Sequence, residues 1–317
     1  MLSFFKKKKD DTAIEDDGIR IISRSDPLAC GGTDSSIDTR APKTITSDEM
    51  TLFNVDSALG YDVHGTSDES DPLMRVSAFA VKTETGTFLW LHTEGFEWKP
   101  EANRDVSGFV KADVMPGLVS IVKEYDLAAK NGYHSRTHGL PENFGGEVRI
   151  EYASGERIGF SDNQAPIIKR PFAHKVIEVF ENALAGEKVD VPDVKDVVSL
   201  TFTETRKDGG FSSAKLTLLP DGTGISEKKQ KFDDPTVYES KKEISAETVK
   251  TILDGVKNSY MLIWRYFPKM AFKSASDKSV TFVMKDGSEI TSPSERDLPN
   301  RFSSAMFTID LELITKN

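Results

Sequence analysis

The sequence predicts an α+β fold of two tandem related domains, each a mainly antiparallel sheet with about two packed helices, in the order β-β-β-α-β-β-α repeated. A hairpin pattern occurs twice, as GEVRIEYASGERIGFSDNQ from Gly146 and as KSVTFVMKDGSEITSPSER from Lys278. A run with helical spacing precedes each hairpin, and short alternating strands joined by tight turns precede each helix. Strands joined by tight turns pair antiparallel, because parallel neighbours need a long crossover. An amphipathic helix laid on such a sheet gives an α+β layer.

Residues 1–18, MLSFFKKKKDDTAIEDDG, read as a flexible charged tail. No apolar run follows the lysines, so the stretch is not a signal peptide as it stands. The first repeat domain is expected over 19–188. Phe53, Val55, Ser57 and Leu59 alternate, as do Met74, Val76, Ala78 and Ala80. Thr85-Gly86 then turns into a strand whose Phe88, Leu89, Trp90 and Leu91 are apolar on both faces, which places it between the helices and a partner or the other half. Leu118, Ile121, Val122 and Tyr125 have helical spacing, with Asn131-Gly132 as the stop. Val148, Ile150 and Tyr152 alternate with Arg149 and Glu151, Ser154-Gly155 turns, and Ile158 and Phe160 return. Phe172, Val176, Ile177, Val179 and Phe180 behind Pro171 give the closing helix.

Residues 189–196, VDVPDVKD, read as a linker, and 197–317 as the second repeat domain. Val198, Leu200 and Phe202 alternate, then Ala214, Leu216 and Leu218, and Asp221-Gly222 turns into a third strand. Ser245 caps a helix bearing Val249, Ile252, Leu253 and Val256. Tyr260, Ile263, Trp264 and Phe267 extend its apolar stripe to Pro268. Val280, Phe282 and Met284 alternate, Asp286-Gly287 turns and Ile290 returns, at one constant offset from the first hairpin. Phe302, Met306, Ile309 and Leu313 close the repeat as a helix, although Phe307, Ile309, Leu311 and Leu313 also fit a strand. Four matched elements in one order favour internal duplication. The expectation is a monomer in which two related halves imitate a homodimer about a pseudo-twofold axis.

The 317 residues carry a formal net charge of −10, which disfavours general nucleic-acid binding, since that affinity comes from neutralising phosphates. No apolar stretch approaches the ~18 residues of a spanning helix. Cys30 is the only cysteine, so no intrachain disulfide forms, and a reducing, cytoplasmic setting is expected.

The most site-like segment is NGYHSRTHGLPENFGG, residues 131–146. His134 and His138 are four apart with Glu142 four beyond, a zinc arrangement if the segment were helical. Gly132, Gly139 and Pro141 argue against that helix, so a polar loop is the primary reading and zinc the exception. His134, Arg136 and His138, with Asp162 and Asn163 in the tail after the first hairpin, form the candidate ligand set. Trp90, Trp264 and Phe267 form the candidate partner surface. The acidic run Ser67–Asp71 lacks calcium-loop spacing. No phosphate loop, dinucleotide fingerprint or nucleophile elbow is present. The leading expectation is therefore a non-catalytic binding or interaction module, without a cofactor, for a protein, peptide or small ligand. A metal-assisted hydrolase on His134, His138 and Glu142 is the alternative, and a structural component of a larger assembly is the second.

Overall fold

The computed structural model describes residues 15–16, 18–24, 31–59, 71–97, 99–139, 144–206, 209–231, 236–266, 276–292, 309 and 312–313, with backbone alone at 15–16, 264–266 and 276–277. The chain divides into two compact units, Met1–Val189 and Asp190–Asn317.

Unit 1 contains β1 (Glu15–Asp16), β2 (Ile19–Ser23), β3 (Thr33–Asp38), β4 (Met50–Ala58), β5 (Leu73–Lys82), β6 (Thr87–Gly95) and β7 (Arg104–Val110). Helix α1 (Met115–Glu124) follows, then β8 (Tyr133–Thr137), β9 (Gly146–Tyr152), β10 (Arg157–Asp162) and α2 (Arg170–Ala185). The ten strands form one sheet in the order β1-β2-β3-β8-β10-β9-β4-β5-β6-β7. Its pairings are antiparallel except β8 with β10, which is parallel. Alternation decides the faces, because successive strand side chains point to opposite sides. Phe53, Val55, Ala78, Ala80, Leu89, Leu91, Val148, Ile150 and Phe160 join Leu118 and Val122 of α1 and Phe172, Val176 and Phe180 of α2 in one buried core. The other face is apolar along the row Leu52, Val81, Phe88 and Phe109, all buried. Both faces of β6 are thus buried, and only Trp90 stays partly accessible in the run from Phe88 to Leu91.

Unit 2 contains β11 (Val197–Arg206), β12 (Phe211–Leu218), β13 (Gly224–Lys231), β14 (Val237–Ile244), α3 (Ala246–Asn258), β15 (Ser276–Met284) and β16 (Glu289–Thr291). Its sheet runs β14-β13-β12-β11-β15-β16. The same six-strand order occurs in unit 1 as β7-β6-β5-β4-β9-β10. Register agrees as well. Phe53 stands between Ile150 and Ala80, and Leu200 stands between Phe282 and Leu216. Ile150 faces Ile158, and Phe282 faces Ile290. Each hairpin turns on a glycine with positive φ, Gly155 at 85° and Gly287 at 82°.

The β-β-β-α-β-β-α plan with about two helices per domain is overturned. Strand outweighs helix among the described residues, which hold three α-helices, and seven strands precede α1 in unit 1 and four precede α3 in unit 2, so the shared scaffold has four strands (β4–β7 and β11–β14) before its helix. The fourth strands, β7 and β14, are sheet edges. Residues Val237–Glu243 are exposed on both faces of β14, so no apolar alternation marks it. The helix expected to run to Pro268 ends at Asn258. Tyr260 enters the left-handed region at φ 53°, and a 3-10 turn, Met261–Tyr266, follows. Of the closing element only Ile309, Glu312 and Leu313 lie within the described residues.

Asp71 ties the start of β5 to the start of α2. Its carboxylate accepts from His174 Nε2 at 2.8 Å and Leu73 N at 3.2 Å, and pairs with Arg170 Nη1 at 3.2 Å. Burial pushes the Asp71 pKa up, but these hydrogen bonds and the charges of His174 and Arg170 outweigh it and hold the pKa below the usual value. A depressed carboxylate contributes stability above its unfolded pKa and loses it as pH falls through the folded one. Asp71→Asn is expected to cost about 1–2 kcal/mol at pH 7 and progressively less towards the folded pKa. Urea denaturation across that pH range measures it.

Candidate functional site

The site grows from β8, whose sequence Tyr-His-Ser-Arg-Thr alternates in size rather than in hydrophobicity. His134 and Arg136 project from one face and are exposed; Tyr133, Ser135 and Thr137 project from the other. The strand forms because neighbours on both sides satisfy its backbone. On one side Ser36 stands opposite His134 and Asp34 opposite Arg136. Thr33–Thr137 and Ser35–Ser135 hydroxyl pairs, at 2.9 and 3.0 Å, pin the reverse face. On the other side Ser161 stands beside His134 in the parallel pairing with β10.

Two asparagines hold β8 in place. Asn131, 2% exposed, donates through Nδ2 to Pro42 O at 2.9 Å and Arg157 O at 2.8 Å, and its Oδ1 accepts from Gly159 N at 2.8 Å. The Asn163 amide imitates a strand residue: Oδ1 accepts from Thr137 N at 2.8 Å and Nδ2 donates to Thr137 O at 2.9 Å. Removing both bonds with Asn163→Ala is expected to cost about 1–2 kcal/mol and to speed amide exchange at Thr137.

The face carrying His134 and Arg136 forms a groove of about 590 Å³, within the range of small-molecule sites. Ile19, Ile21, Ser23 and Arg24 line it from β2 and its end; Asp34, Ser35 and Ser36 from β3; His134, Ser135, Arg136 and His138 from β8 and its end; Ser161 from β10. His134 Nδ1 lies 3.0 Å from Ser161 Oγ, and His138 Nε2 lies 2.9 Å from Asp34 Oδ2. Desolvation pushes the His134 pKa below its ordinary value, while the Asp38 charge pulls the other way. Imidazole beside hydroxyl meets the first requirement of a nucleophile–base pair.

His134, Arg136 and His138 thus lie on one groove, but Asp162 and Asn163 do not line it. Asp162 Oδ1 instead accepts from Gln164 N at 2.8 Å and Ala165 N at 3.1 Å, closing the turn after β10. Along an extended chain four residues set the backbones of His134 and His138 roughly 13 Å apart. Each imidazole has its own neighbour, Ser161 and Asp34 respectively, and no group of three or more potential metal ligands converges among the described residues. Glu142 and Cys30 lie outside them. Trp90 donates through Nε1 to Asp105 Oδ1 at 2.8 Å and stacks on His92 at 6.2 Å. The Trp264 side chain and Phe267 lie outside the described residues. Ile19, Ile21, Arg24, Asp34 and Ser36 were not expected at the site. Ile-Arg-Ile in β2 carries a short alternation that was the available signal, whereas β3 is polar except for Ile37 and half-buried throughout, so nothing in its sequence marks it.

Among the described residues no helix is long and apolar enough to cross a membrane. No family model matches the chain, and no curated protein was found to match it.

Proposed function

We propose that the chain is a non-catalytic binding module, built by internal duplication, that takes a small polar ligand in the groove of unit 1. One observation carries this reading: the groove lies where unit 1 departs from the six-strand order common to both sheets. Strands β1, β2, β3 and β8 extend unit 1 beyond β10, whereas the described sheet of unit 2 ends at β16. Matching strand order and register support duplication of the scaffold, and the extension then supplies specificity. Loops and added strands on a rigid scaffold are where binding groups concentrate. The helical spacing that would favour a metal-assisted hydrolase on His134 and His138 is absent, because Tyr133–Thr137 is a strand.

Ligand-observed NMR tests the reading with a panel of neutral sugars, alcohols, amides, carboxylates and phosphate esters. Ser36→Trp fills the groove from β3 while keeping a residue suited to a strand. The expected result is at least one binder whose signal Ser36→Trp abolishes without loss of fold by circular dichroism. Binders indifferent to Ser36→Trp, or no binder at all, contradict the proposal.

A further inference from the structure

Resting on the groove reading above, we infer that the ligand is an amphiphilic oxyanion, a carboxylate or phosphate monoester whose head sits at Arg136 and whose apolar body lies along Ile19 and Ile21. The groove is chemically divided. By strand register one end carries Arg136 and His138 beyond the row of Ile21, Ser36, His134 and Ser161, and Arg24, at the end of β2, joins the same lining. The other end carries Ile19 and Ile21, and Ile19 is 40% exposed. Register puts the two ends on one face: Ile21 stands opposite Ser36, Ser36 opposite His134, and Arg136 lies one row further along β8.

Strand geometry sets the ligand's length. From Ile21 to Arg136 is two strand steps of ~4.8 Å and two residues of ~3.3 Å, roughly 12 Å in all. An inorganic ion reaches only one end of that span; a molecule with both a head and a body reaches both. Guanidinium groups present planar paired donors that match carboxylate and phosphate oxygens, and two of them line this groove on a chain of net charge −10. Asp34 is the one carboxylate in the lining, opposite Arg136 and bonded to His138. Its charge opposes an anion, so its removal strengthens binding, a sign that generic loss of structure does not produce.

Protonation of His134 adds a second electrostatic lever. The groups facing it are Asp38 and Ser36 from β3, Ser161 from β10, Ile21 from β2, and Arg136 and His138 along its own strand. A bound oxyanion favours the charged imidazole, so binding raises the pKa of His134 and tightens as pH falls through the His134 titration.

Isothermal titration calorimetry of the full chain tests the inference with phenyl phosphate, benzoate, inorganic phosphate and the neutral benzyl alcohol. Phenyl phosphate or benzoate is expected to bind, with inorganic phosphate and benzyl alcohol each at least ~10-fold weaker. Arg136→Gln is expected to weaken binding at least ~10-fold and Ile21→Asn ~5-fold, while Asp34→Asn tightens it ~3-fold. Arg136→Lys, which keeps the charge without the planar fork, is expected to fall between wild type and Arg136→Gln. Benzyl alcohol binding as tightly as phenyl phosphate, with Arg136→Gln silent and Ser36→Trp abolishing both, overturns the oxyanion assignment and leaves the groove reading standing. No binding by any of these probes overturns the oxyanion assignment, and binding untouched by Ser36→Trp overturns both.

Discussion

Phe53→Ala is expected to cost unit 1 about 3–5 kcal/mol, the largest single effect of any substitution named for this protein. Phe53 is fully buried on β4, with its ring 6.5 Å from that of Phe172 and 6.4 Å from that of Phe180. It is therefore the point where the sheet meets α2. Truncation removes the transfer energy of a benzyl group and leaves a cavity between elements that cannot close without moving a helix. Phe53→Leu keeps most of the volume and is expected to cost roughly 1–2 kcal/mol. Equilibrium urea denaturation of both variants measures the pair, and equal costs would show that shape rather than volume governs the site.

Asn131→Ala is expected to cost about 2–4 kcal/mol and to abolish ligand binding with it. Three hydrogen bonds disappear, and two carbonyls and one N–H in a closed corner between β8, β10 and the segment before β4 lose their partner. Unsatisfied buried groups cost more than the bond itself was worth. Asn131→Asp is expected to be worse than alanine, because it sets a carboxylate against the Pro42 and Arg157 carbonyl oxygens. Denaturation with amide exchange along β8 checks both. A cost below about 0.5 kcal/mol would mean that β8 is held by its backbone pairing alone.

What was legible in the sequence follows hydrophobic periodicity. The hairpins around Gly155 and Gly287, and the apolar stripes of α1, α2 and α3, all bury one face, and burial writes a period into the chain. β14 writes none, since an edge strand exposed on both sides has no buried face to record. β7 hides for a related reason: its first three residues are exposed and only Gly108, Phe109 and Val110 are buried. The extension was illegible because its strands are held by polar groups. In β8 the pattern is Tyr-His-Ser-Arg-Thr, and the groups that make it a strand, Asn131, Asn163 and the hydroxyls of β3, are at other positions in the sequence. His134 and His138 stood out as residue types, but their meaning depended on backbone conformation. In a helix, four residues bring two imidazoles to one ion; in a strand the same spacing spreads them along a groove. Likewise Asn163 stood out as a polar residue type, and its bonds to the Thr137 backbone were illegible because one amide side chain can supply the same donor and acceptor as a peptide group.

The division between scaffold and extension is matched by a difference in core composition between the two units. Where unit 1 places Leu89 and Leu91 on the core face of β6, unit 2 places Ser226 and Lys228 at the matching register of β13. Unit 2 thus spends fewer apolar residues towards its β14 edge, while unit 1 carries the extra strands and the groove.

The central claim is that the β2-β3-β8-β10 face of unit 1 is the ligand site. The most direct measurement is a titration of phenyl phosphate into the ¹⁵N-labelled full chain, following the His134 and His138 side chains and the backbone amides of β3, β8 and β10. Saturable shifts confined to those strands and to Ile19–Arg24 are expected, with the His134 pKa rising as the ligand saturates. Shifts centred elsewhere, or none at millimolar ligand, would contradict it.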